Sequence, residues 1–176
     1  MITPDTKDWT WVLDATCEEC GLNVSTIPFA DIPAAIRGNA DAWREVLTRR
    51  DVRDRPKPDV WSPLEYSCHV RDVYRMFDGR LQRMLREDDP QFQNWDQDTT
   101  AIEERYDEQD PATVVTELVT AAHTLAGRLG VVTEEEQTRP GRRSDGAVFT
   151  IASLARYGLH DPVHHLHDVG HVEAHS

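Results

Sequence analysis

The chain has 176 residues, 39% of them hydrophobic, which suits a single domain with a real core. Its 32 acidic side chains against 19 Lys and Arg give a formal charge of −13, which argues against nucleic acid as a partner, since phosphate binding relies on cations that displace counterions. No apolar run approaches the roughly 18 residues of a membrane span, so no membrane partner is expected either.

The start of the chain, Met1 to Thr10, is polar and acidic and does not read as a signal peptide. Three cysteines are too few, and odd in number, for a disulfide framework, which fits a reducing, cytoplasmic location. Two of them form Cys17-Glu-Glu-Cys20-Gly21, just after the aromatic stretch Trp9-Thr-Trp11. One CxxC is half of a zinc knuckle, and a second pair is missing. Cys17 and Cys20 therefore read as a partial metal site completed by histidines such as His171 and His175, as a redox pair, or as a turn with buried thiols. Residues 1–30 are expected to be an extension packed along the main domain, residues 31–170 the domain itself, and residues 171–176 a polar tail.

Asp31-Ile32-Pro33 reads as an N-cap with an early-turn proline, and Ile32, Ile36, Ala40, Trp43 and Leu47 continue at a helical period. Residues 49–60, with Pro56 and Pro58, form a loop. From Arg37 to Lys57 seven bases face four acids, a pattern expected of solvated surface. Ser62-Pro63-Leu64-Glu65 is a capping box with proline at the first helical position, opening a second helix that carries His69, Val73, Met76, Phe77, Met84 and Leu85 to about Arg86. Arg86 to Asp110 then holds ten acids and two bases, so this one segment carries −8 of the total charge. Asp110-Pro111 opens a third helix through Val114, Leu118, Ala122, Leu125 and Leu129. Thr133 caps a short acidic turn, Arg139 to Gly146 is turn chemistry, and Thr150 caps a last helix to about Val169.

Four amphipathic helices and no convincing strand predict an all-α four-helix bundle. The link between the second and third helices is about twenty residues, against the usual ~2–8 between antiparallel neighbours. Such a link can return along the bundle, which predicts an up-down-down-up order with the acidic segment as a soluble crossover.

Of the eight histidines, six fall between His160 and His175. His69 lies four residues before Val73 and seven before Met76, which points it at the core. On the last helix Ile151, Leu154, Gly158, Asp161, His165 and Asp168 mark an inward face. Asp161 and His165 are four apart, so their side chains stack on that face and can hold one cation with two ligands from one helix. With His69 they make a three-ligand set suited to a divalent Zn, Ni, Fe or Mn ion. His160 and His164 form a competing pair on a less apolar face. Pro162 falls between the members of both pairs, where a kink would rotate the second half of the helix. His123 and His167 read as surface residues.

The segment Trp61-Ser62-Pro63-Leu64-Glu65-Tyr66-Ser67-Cys68-His69 is similar to the W-S-x-x-E-x-x-x-H segment of the DinB-like superfamily, which includes mycothiol-dependent maleylpyruvate isomerase and related thiol S-transferases. His160-Asp161-Pro162-Val163-His164-His165-Leu166-His167-Asp168 resembles that family's final-helix signature. The resemblance covers about Asp31 to Gly170 and implies a four-helix bundle with His69 as first metal ligand. His165…Asp168 matches the H-x-x-D spacing of the isomerase branch, which puts Asp161 where that branch has a Glu. It also implies a low-molecular-weight thiol as cofactor and a small electrophile as substrate. Three functions follow as expectations: a metal- and thiol-dependent transferase or isomerase, a non-catalytic metal-binding stress protein, or a metal-dependent hydrolase. A small-molecule substrate is the expected partner, and a homodimer is compatible with this reading. Trp43, Leu47, Trp61, Val73 and Leu118 are expected pocket walls, with Arg49, Arg50, Arg53 and Arg55 beside them. Arg142 and Arg143 precede the last helix and are expected to lie outside the site.

Overall fold

The computed structural model describes residues 2–4 and 7–170. Among these residues it is mostly helical, with α1 (Ile32–Val46), α2 (Pro63–Arg86), α3 (Gln97–Glu103), α4 (Pro111–Leu129) and α5 (Ile151–Asp168). The long helices start as their sequences dictate. Ser62 and Glu65 form a reciprocal capping box on α2, Asp110 accepts from Thr113 N on α4, and Thr150 with Ser153 caps α5. The exception is Asp31, whose side chain makes no capping bond. It ends a 3-10 turn, Phe29–Asp31, that runs directly into α1.

Helices α1 and α2 each pack against both α4 and α5. Their shared core includes Ile36, Trp43, Tyr74, Phe77, Leu81, Leu118, Leu125 and Leu154. Arg71 of α2 pairs with Glu117 of α4 at 2.8 Å, and further along both helices Asp78 pairs with Arg128 at 2.6 Å. The α2–α5 contacts run in the opposite sense, with His69 against Asp161 and Phe77 against Tyr157. A smaller apolar cluster (Leu47, Val52, Leu64, Cys68, Tyr106, Val114) lies beneath the connecting segments.

The expectation of no strand is corrected. β1 (Gln91–Phe92), β2 (Pro140–Arg143) and β3 (Val148–Thr150) form a three-stranded sheet in that order. β1 is parallel to β2 and β2 antiparallel to β3, so the supposed turn at 139–146 is part of a hairpin. The acidic link is likewise more than an exposed crossover. It holds β1 and α3, and its Glu87 and Asp89 pair with Arg83 and Arg142.

Glu65 illustrates how a helix start is secured. Its buried carboxylate accepts from Ser62 N at 2.8 Å and pairs with Arg55. Burial works against the charge, but the Arg55 and Ser62 contacts outweigh it and hold the carboxyl below its ordinary value. A carboxyl depressed in the folded state stabilises fully above its unfolded pKa of about 4.3 and loses that contribution as pH falls through the folded value. Glu65→Gln is expected to cost roughly 1 kcal/mol at neutral pH, since Gln keeps the cap and Arg55 is partly exposed. The gap between the two proteins in thermal melts should close as pH drops below about 4. A gap independent of pH would remove the ionic part of this account.

Candidate metal centre

α5 continues as a helix through Pro162 from Ile151 to Asp168, and Trp43 Nε1 donates to the Pro162 carbonyl at 3.2 Å. Both histidine pairs therefore keep their helical register. Neighbouring residues on a helix point about 100° apart, so His160/His164 and Asp161/His165 lie on two adjacent faces. The structure uses both faces, and the two pairs do not compete.

On the first face, His69, Asp161 and His165 place one donor atom each within 4.8 Å of one another. His69 Nε2 is 3.2 Å from Asp161 Oδ1, and His165 Nε2 is 3.6 Å from the same oxygen. Donors bonded at ~2.0–2.1 Å to one tetrahedral ion stand about 3.4 Å apart, so these distances bracket what a shared cation requires. His69 is fully buried, and its Nδ1 has no hydrogen-bond partner among the described residues. The ring's one polar contact is thus the Nε2 that faces the cluster. Burial opposes the charge on Asp161, but the His69 and His165 rings outweigh it and hold the carboxyl well below the usual range. His165 Nδ1 meets Asp168 Oδ2 at 2.8 Å, the carboxylate–imidazole contact that fixes a ligating ring's tautomer and orientation.

Aromatic rings fix the imidazoles. His69 stacks on Trp95 (5.2 Å between centroids, 7° between planes) with Trp61 on another side at 5.3 Å. Tyr66 lies 4.9 Å from the His165 ring. The cluster opens into a pocket of about 500 Å³. Of the expected walls, Trp61 and Val73 line it, whereas Trp43 and Leu118 belong to the main core and Leu47 to the smaller cluster. Arg49, Arg53 and Arg55 of the 49–60 loop serve the fold instead, and Arg50 does not line the pocket. Arg49 pairs with Asp51, Arg53 donates to the carbonyls of Asp107 and Gln109, and Arg55 pairs with Glu65.

The exclusion of Arg143 is overturned. Counting residues along α5 placed it far from the site, but β2 folds back on the bundle, where Arg143 donates to Tyr157 and lines the pocket. Arg80 lines the same wall, buried, donating to the Gln93 carbonyl at 3.1 Å and flanked by Phe77 and Phe92. Burial and the neighbouring Arg143 push its pKa down to about 10. Trp95, from the acidic link, and Trp9, from the N-terminal extension, are pocket residues that sequence reasoning missed. Their signal was an aromatic in an otherwise polar segment.

On the second face, His160 and His164 meet Cys17 and Cys20, all four offering donors within 4.8 Å of one another. Burial pushes the Cys20 thiol up to about 11, unlike the low-pKa thiol of a redox pair. Burial, and then the adjacent His164 ring, push His160 down to about 4. Cys68 points elsewhere, toward Tyr106 and Gln109. His123 and His167 are exposed, and His171 and His175 lie outside the described residues.

A search of curated proteins finds no match. Among solved structures the chain is similar to YfiT from Bacillus subtilis, described as a probable metal-dependent hydrolase with an unusual four-helix bundle topology. The two are 16% identical, with a TM-score of 0.67 over 88% of this chain and 86% of YfiT, a likeness of fold. The family model of the DinB superfamily matches residues 34–169, which include α2, α4, α5 and the His69–Asp161–His165 cluster. The chain belongs to the DinB superfamily.

Proposed function

We propose that this protein is a metal-dependent enzyme acting on small electrophiles, with His69, Asp161 and His165 as the ligands of a divalent zinc, nickel, iron or manganese ion. The observation that carries the reading is a set of three protein donors among the described residues, not four, at a pocket of about 500 Å³. Three ligands leave room for a small molecule, as in catalytic sites, whereas structural sites are closed by four. Such an ion lowers the pKa of a coordinated thiol or water, supplying a nucleophile at neutral pH. The favoured nucleophile is a low-molecular-weight thiol, in line with the resemblance of His165…Asp168 to the isomerase branch. Trp61, Trp95 and Tyr66 pack against the two imidazoles and fix them. Arg80, buried with no carboxylate partner among the described residues, supports a negatively charged group on substrate or thiol.

Hydrolysis is the second reading, supported by the description of YfiT. The three free cysteines support a reducing, cytoplasmic setting. The matched pairs Arg71–Glu117 and Asp78–Arg128 support an up-down-down-up order, with α2 and α4 running the same way.

The test is turnover of a panel of electrophiles, with and without thiols, by metal-loaded protein. Turnover that needs both metal and thiol supports the transferase or isomerase. Thiol-independent hydrolysis selects the second reading, and bound metal with no turnover returns the protein to a non-catalytic role. Asp168→Asn removes the carboxylate behind His165 and is expected to weaken metal binding at this centre about 10–100-fold, read by competition with a chelating dye. Unchanged affinity would show that Asp168 does not support the ligand.

A further inference from the structure

The face of α5 that the proposed reaction does not use carries a second cluster. Cys17 and Cys20 come from the N-terminal extension, His160 and His164 from α5, about 140 residues later. Cys17 Sγ is 3.6 Å from His164 Nδ1, and Cys20 Sγ is 3.7 Å from His160 Nε2. A tetrahedral zinc with Zn–S of ~2.3 Å and Zn–N of ~2.0–2.1 Å separates sulfur from nitrogen by about 3.6 Å. Both cross-pairs meet that requirement.

The surrounding chain is built for the same geometry. Gly21 adopts φ +76°, its N–H donates to the Cys17 carbonyl at 2.8 Å, and Cys17 N donates to the Leu22 carbonyl at 2.9 Å. This tight turn presents both thiols toward α5. The other nitrogen of His164, Nε2, faces Glu19 Oε2 at 3.4 Å and Asp168 Oδ1 at 3.8 Å, so a carboxylate stands behind a ligating ring. Glu19 lies inside the CxxC turn itself. Trp9 covers both rings, with centroids 5.5 Å from His160 and 4.8 Å from His164. Cys17, His160 and His164 are buried and Cys20 is half-buried. Two thiolates and two neutral imidazoles would balance the charge of one divalent ion.

We propose that Cys17, Cys20, His160 and His164 form a second, structural metal site that takes zinc in closed four-coordinate geometry and clamps the N-terminal extension onto α5. The clamp also shapes the pocket. Ile2, Thr3, Lys7 and Trp9 line it alongside Asp161 and His165. His160 precedes Asp161 and His164 precedes His165, so an ion on one face of α5 holds the backbone that presents the ligands of the other. The assignment does not depend on any activity at the His69 centre.

The experiment is metal analysis of the full chain, with cobalt substitution as a spectroscopic readout. Cys17→Ser/Cys20→Ser is expected to lose one zinc equivalent that His69→Gln retains. Cobalt-loaded wild type and His69→Gln should both show thiolate-to-cobalt charge transfer, and the double serine variant should not. Chelation of zinc should open the peptide bonds before Ile32 to protease ahead of those in the bundle. If the serine variant fails to fold, the cobalt spectrum of the wild type decides, because the His69 centre contains no thiolate. Absent charge transfer in the wild type, unchanged zinc content in a folded serine variant, or a Cys17–Cys20 disulfide in the purified chain would each overturn the proposal. Loss of metal from the His69 centre alone would leave it standing.

Discussion

Replacing His69 by alanine or glutamine is expected to remove the ion of the open centre and to lower turnover by about three orders of magnitude. Among the described residues His69 supplies one of three protein donors, through an Nε2 that faces Asp161. Lewis-acid activation contributes several kcal/mol, and ~1.36 kcal/mol is a factor of ten in rate. Alanine also leaves a void between Trp61 and Trp95, so it costs stability as well as metal. Glutamine fills more of that space and separates the two effects. The expected pattern is a Gln variant that melts close to wild type, retains the zinc of the Cys17 cluster and has lost the other ion. A folded Gln variant with full metal content and full turnover would rule out the centre as described.

Much of this site was legible in local sequence, because its parts are local. The capping box at Ser62 fixed where α2 begins, and hence which face carries His69. The i, i+4 spacing on α5 identified both pairs. What sequence could not show is that two adjacent faces of one helix are both covered. One is covered by α2, and the other by a segment about 140 residues earlier whose aromatic and thiol groups have no periodicity to reveal it. The sheet was hidden for a similar reason. β1 is two residues long, and its partners Gln91 and Arg142 meet only after the chain has passed through α3 and α4. Strands that short are held by tertiary contacts, not by propensity. Arg143 and Trp95 reach the pocket through that same non-local folding.

Gly158 ties the packing of the bundle to the position of both donor clusters, and its replacement by alanine is expected to lower stability by about 1 kcal/mol. A Cβ at this position would lie 2.7 Å from Phe77 Cδ1 and 2.9 Å from its Cγ and Cε1. Alanine normally gains up to ~1 kcal/mol over glycine inside a helix, so the overpacking must exceed that gain, and such strain costs about 1–3 kcal/mol. Phe77 is 5% exposed and has little room to withdraw. In a chain of this size the loss corresponds to a fall in Tm of roughly 2–4 °C. Gly127 is the matched control. It lies inside α4, where an added methyl would meet nothing within 4 Å, so Gly127→Ala should raise Tm. The strain is specific to one ring, and Phe77→Leu should therefore recover part of the loss in Gly158→Ala, a coupling that a double-mutant cycle reads directly. Relief of the clash by a shift of α5 instead would move Asp161 and His165, three and seven residues further along the same helix, and would appear as weaker metal binding at the open centre. Equal stability changes for Gly158→Ala and Gly127→Ala would mean that the α2–α5 contact at Phe77 is not tight.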